Sequence, residues 1–109
     1  MARVRTRELY WEAPGDTDIT GYAVYAGSPD SPSFLVDVDA GTVDPLGETD
    51  KTSYPLGEGA LPEGNYQFAV CSKDTAGNFS DPYQHPAWKS VPLDLSAPNP
   101  PKGGGLRVL

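Results

Sequence analysis

Short runs of alternating apolar and polar residues recur along the chain, with glycine- and proline-rich turns between them. Leu9 and Trp11 alternate before Pro14, and Tyr22, Val24 and Ala26 alternate in "GYAVYAG". Phe34, Val36 and Val38 alternate in "SFLVDV". Tyr54 and Leu56 bracket Pro55, and Tyr66, Phe68 and Val70 give the cleanest run, "NYQFAVCS". A last run, residues 88–95 ("WKSVPLDL"), is interrupted by Pro92. A period of two places one face of each run on a core and the other toward solvent. Proline has no amide to give a central ladder, so the run around Pro55 is expected at a sheet edge. Turn signals fall at 14–15, 27–32, 41, 57–59, 63–64 and 77–78. Short strands between closely spaced turns predict an all-β sandwich or barrel. No amphipathic helix and no internal repeat is predicted.

Length and charge narrow this picture. A chain of 109 residues suits one domain with a modest core. Twelve Gly and twelve Pro leave little room for long helices. Eight basic against fifteen acidic residues give a net charge of −7, which argues against nucleic acid or an anionic membrane as partner. The charge is also uneven. Between Glu8 and Trp88 the only basic residues are Lys51 and Lys73, while Arg3, Arg5 and Arg7 lie near one end and Lys102 and Arg107 near the other. Basic ends on an acidic body favour end-to-body contacts, although ordinary solvated charge accounts for the pattern too. Cys71 is the single cysteine, so no internal disulfide is expected. No apolar run reaches membrane-spanning length, so no membrane insertion is expected. The start, "MARVRTRELYW", has no apolar signal region. That leaves three readings open: work inside the cell, a leader already removed, or another export route to an extracellular or virion surface.

Several segments together resemble a known family. "LYWEAP", "ITGYAVYAG", "TSYPL" and "LPEGNYQFAVCSKDTAGNFSDP" look like strands B, C, E and F of a fibronectin type III domain, over about residues 8–98. Such domains are immunoglobulin-like antiparallel β-sandwiches. Trp11 matches the core tryptophan of strand B, Tyr66 the tyrosine-corner position, and "DTAGNFSDP" the F–G turn of bacterial members. The resemblance implies a spacer or binding scaffold, with no chemistry and no cofactor. Trp11, Tyr22, Tyr66 and Phe68 are the expected anchors of the core. The Tyr66 hydroxyl is expected to find a backbone partner.

The start departs from that family. Only ten residues precede Trp11, too few for a strand A and its turn before strand B. Strand B, with Arg7 and Leu9, is then expected to present an unpaired edge, and an unpaired edge is a template for another strand. The far end, "APNPPKGGGLRVL", looks like the linker and strand A that open a following fibronectin domain. Residues 1–98 are read as the sandwich, and 99–109 as a Pro/Gly linker with a candidate donor strand. Leu106 and Val108 alternate with Arg107, so one face can fill a groove. That strand enters either a neighbouring molecule or its own chain. Strand dimensions put the end of strand G and the start of strand A roughly 35 Å apart. The ten residues 96–105 reach about 31 Å in a polyproline conformation. Self-insertion is therefore barely possible, whereas insertion into a neighbour has no such span to cover. Two blander readings stand beside these: a boundary within a longer multidomain chain, and a loose terminus.

The leading expectation is a non-enzymatic structural or interaction module that assembles head to tail with other copies or another protein. The interaction residues would be Leu106, Arg107, Val108 and Leu109 meeting Leu9, Arg7 and Trp88. The alternative is a monomeric accessory domain presenting loops or an aromatic patch (Tyr10, Tyr25, Tyr83, Trp88) to a protein or polysaccharide. That patch reads equally as sandwich packing. Asp37, Asp39 and Asp44, with Glu48 and Asp50 beyond, lack the spacing of a calcium loop, so a soluble acidic surface is preferred to a metal site. His85 sits between prolines with no nucleophile motif nearby and reads as a surface histidine. Cys71 has the opposite parity to Phe68 and Val70 and is expected on the outward face, partly covered and inert or else exposed and reactive. Asn78-Phe79-Ser80 fits the glycosylation rule, but a turn role is preferred.

Overall fold

Two antiparallel sheets build the protein, seen in a computed structural model that describes residues 7–57, 61–94 and 99–109. Strand β1 (Arg7–Tyr10) pairs with β4 (Ser53–Leu56), with Leu9 opposite Tyr54 and Glu8 opposite Pro55. The second sheet runs in the order β3 (Gly47–Thr49), β2 (Ile19–Gly27), β5 (Gly64–Asp74), β6 (Val91–Leu93). Pro55 lies in β4, whose one partner among the described residues is β1.

The alternating positions meet in one core. Leu9 and Trp11 from the β1 side, Leu56 from β4, Tyr22 and Val24 from β2, and Phe68 and Val70 from β5 share a buried cluster with Trp88, Val91 and Leu93. Each large apolar side chain so covered contributes roughly 1.5–3 kcal/mol. Trp11 sits edge-on to Tyr22 at 5.3 Å and to Trp88 at 6.2 Å between ring centroids. Edge-to-face pairs of this kind add to their area burial.

Strands β2 and β5 are buried on both faces. Ala23, Tyr25, Ala69 and Cys71 point away from the main core, yet all are buried in a second cluster with Phe34 and Val38. This overturns the expectation for residues 34–38 and refines that for Cys71. Residues 34–39 form a helix, α1 (Phe34–Asp39), and not a strand, so the prediction of no amphipathic helix fails. Cys71 does take the outward parity, but α1 covers it and leaves it 2% exposed. The helix wins because residues i and i+4 share one face, so Phe34 and Val38 reach the outer surface of β2 and β5 together while Val36 turns to water. A Schellman motif closes α1. The amides of Gly41 and Thr42 donate to Val38 and Asp37 carbonyls at 3.1 and 3.0 Å, and Gly41 takes φ +76°.

The final run also differs from its reading as one long strand. Trp88 belongs to a 3-10 turn (Pro86–Trp88), and pairing resumes only in β6. Leu95 lies outside the described residues.

Candidate functional site

The apolar end of the chain is uncovered. Residues 99–109 form no regular structure, and Leu106, Val108 and Leu109 are 106, 100 and 111% exposed. Gly103 and Gly104 carry φ of +74° and +93°, a conformation that only glycine adopts freely, so they make a joint before the apolar residues. Arg107 is exposed with them.

The other half of the candidate site is the edge of β1. One side of β1 is paired with β4, and among the described residues no strand lies on the other. Beside it opens a cleft of about 630 Å³, with Trp11, Tyr22 and Val70 in its lining and Tyr10, Glu12 and Tyr83 around them. Tyr10 and Tyr83 are 75 and 53% exposed. The Trp11 indole N–H is buried and has no hydrogen-bond partner among the described residues. A buried donor left unmade typically costs about 1–3 kcal/mol.

The expected interaction residues fall into three groups. Leu106, Arg107, Val108 and Leu109 are at the surface, and Arg7 is exposed at the head of β1. Leu9 is buried, so only its backbone belongs to the edge. Trp88 is buried in the core beneath Tyr83, at 5.5 Å between rings, and offers no surface to a partner. Tyr25 is buried too. The aromatic patch therefore reduces to Tyr10 and Tyr83. Arg3 and Arg5 lie outside the described residues.

Several of the remaining chemical candidates make local contacts within the fold. His85 Nδ1 accepts from the Ala87 amide at 3.0 Å and caps the 3-10 turn. Asp37 is held by the Ser33 hydroxyl at 3.0 Å, and Glu48 lies 3.7 Å from Lys73. No three His, Cys, Asp or Glu side chains among the described residues are placed to hold a metal ion. No helix among them is long and apolar enough to cross a membrane. Asn78 is engaged in the turn after β5. Its side-chain amide donates to Asp74 Oδ2 at 3.1 Å, and Asp74 Oδ1 accepts from the amides of Ala76 and Asn78 at 3.0 and 2.8 Å. The Asn78 bonds, and those from Ala76 and Gly77, hold the Asp74 carboxyl below its ordinary range. Burial pushes the Cys71 thiol up to about 11, with the charges of Asp39 and Asp81 adding to the effect.

Two features escaped the sequence reading. Gln67 is buried, and its amide donates to the carbonyls of Ser28 and Ser31 at 2.6 and 3.0 Å, fixing the turn that leads into α1. A glutamine inside an alternating run carries no signal for this role. The other feature is the cleft itself. No family model, curated protein or solved structure matches this chain.

Proposed function

We propose that this chain is a fibronectin type III-like β-sandwich whose role is assembly, not catalysis. Its C-terminal residues 105–109 complete the sheet of a neighbouring copy beside β1. The observation that carries this reading is the full exposure of Leu106, Val108 and Leu109 on a chain whose β1 edge has no partner among the described residues. Three features support the fold assignment. The equivalents of strands B and E (β1 and β4) pair in one sheet, and those of C, F and G (β2, β5 and β6) lie in the other, the immunoglobulin-type division. The Tyr66 hydroxyl donates to the Pro62 carbonyl, four residues upstream, at 2.7 Å, as a tyrosine corner does. Leucine and tryptophan from β1 and its extension share one core with the opposite sheet.

Energetics set the terms of assembly. Covering Leu106 and Val108 contributes roughly 1.5–3 kcal/mol each. Ordering five residues costs about 1–2 kcal/mol per residue. Side chains alone fall short of that cost by a few kcal/mol, so ladder hydrogen bonds and charge contacts must supply the difference. Donation repeated head to tail is a heterologous contact, which yields a filament unless its rotation closes a ring. Sedimentation velocity over a concentration series tests the reading. The full chain should grow in size with concentration, and Leu106→Asp with Val108→Asp should hold it monomeric. A full chain that stays monomeric throughout contradicts the proposal.

A second reading rests on Tyr10 and Tyr83, exposed aromatics beside the cleft. They suit an accessory domain that presents rings to a protein or polysaccharide. Titration of the full chain with soluble polysaccharides separates the two, because only this second reading predicts saturable heat from a monomer.

A further inference from the structure

We propose that the cleft beside β1 is the seat of the incoming strand from a second copy, and that Arg107 is read there by an acidic-aromatic row formed by Glu8, Tyr10 and Glu12. This rests on the assembly reading above and adds the site and its selectivity. Side-chain parity leads to it. Leu9 and Trp11 point into the core, so Glu8, Tyr10 and Glu12 occupy the outer face, and all three are exposed. A strand added to this edge must turn Leu106 and Val108 inward, toward Trp11, Tyr22 and Val70, because those are its alternating apolar positions. Arg107 then falls on the outer face in either strand direction. Its cross-strand and diagonal neighbours are drawn from Glu8, Tyr10 and Glu12.

Charge favours a second copy as the occupant. The segment that must enter carries Lys102 and Arg107 and no acidic residue, while the body from Glu8 to Trp88 has only Lys51 and Lys73 as basic residues. Lys73 is already within 3.7 Å of Glu48. Opposite charges facing each other across a ladder stabilise the pair, and an arginine beside a tyrosine ring gains a cation–π contact as well.

Disulfide trapping between full-length chains tests the site. One chain carries Arg107→Cys, and its partner carries Glu8→Cys, Tyr10→Cys or Glu12→Cys in turn. All these positions are exposed, and Cys71 is shielded beneath α1. Directly opposed residues come within disulfide reach. Mild oxidation should give a heterodimer band with at least one of the three partners. The band should be lost when Val108→Cys replaces Arg107→Cys, because that side chain faces inward. A Glu48→Cys partner on the other sheet should give none. A chain that assembles through its tail yet gives no band with any of the three, or an equal band with Glu48→Cys, overturns this site and leaves the assembly reading standing. Failure of the parent chain to assemble at any concentration overturns both.

Discussion

Cys71 offers a quantitative check on the covered outer face of β2 and β5. With a pKa near 11, the thiol is about one part in a thousand thiolate at pH 8, against roughly a quarter for an unperturbed cysteine. Ionisation alone therefore slows reaction with an aromatic disulfide reagent by on the order of 10² relative to the urea-unfolded chain. Cover by Phe34 and Val38 slows it further, because reagent must wait for α1 to open. Val38→Ala removes two buried methyl-sized groups, about 1.6 kcal/mol of burial. If that loss falls on the opening step, the reaction accelerates roughly tenfold. The assay is the pseudo-first-order rate of thiol modification, folded and unfolded, for both chains. A folded chain that reacts at the unfolded rate, or a Val38→Ala variant with unchanged rate, would refute the cover. The raised pKa also fixes a pH dependence. The folded state keeps its proton while the unfolded state loses it, so this contribution is complete below the ordinary thiol range and fades as pH rises toward about 11. Tyr25, raised chiefly by burial and next by Cys71, acts in the same direction at higher pH.

Three further outcomes are expected. Tyr66→Phe deletes the bond to the Pro62 carbonyl and should lower stability by about 1 kcal/mol in urea titration, with an unchanged slope. Gly27→Ala should cost about 1–3 kcal/mol on the same measurement, because a Cβ there would lie 2.5 Å from the Phe34 ring. The lowered pKa of Asp74 means its contribution is present above the ordinary carboxyl range and fades as pH falls through the depressed value. Asp74→Ala should therefore speed amide exchange of Ala76 and Asn78 at neutral pH and leave it little changed in acid.

Much of the fold was legible because most strands bury one parity in the main core. Tyr22, Val24, Phe68 and Val70 alternate toward it, and Pro55 falls in a strand paired on one side among the described residues. Residues 34–39 misled because six residues fit two periods at once. Phe34, Val36 and Val38 satisfy a strand, while Phe34, Leu35 and Val38 satisfy a helix. The deciding signal lay elsewhere in the chain. "YAVYA" and "QFAVC" are apolar or buried at both parities, which marks strands covered on both faces and calls for a cover. Trp88 was misplaced because nothing in "WKSVPLDL" tells a core tryptophan on a turn from one on a strand face. Of the candidate site, the exposed apolar alternation at residues 106–109 could be read directly. The cleft could not, since its lining joins Trp11, Tyr22, Val70 and Tyr83 only through tertiary structure.

The central claim is that the C-terminal residues join another copy's sheet. Light scattering with negative-stain imaging, on the full chain and on one ending at Lys102, tests it most directly. The account predicts filaments or large oligomers from the full chain, their loss on truncation, and a lower melting temperature for the shortened chain, which no longer receives a strand. Truncation that changes neither size nor stability would contradict it.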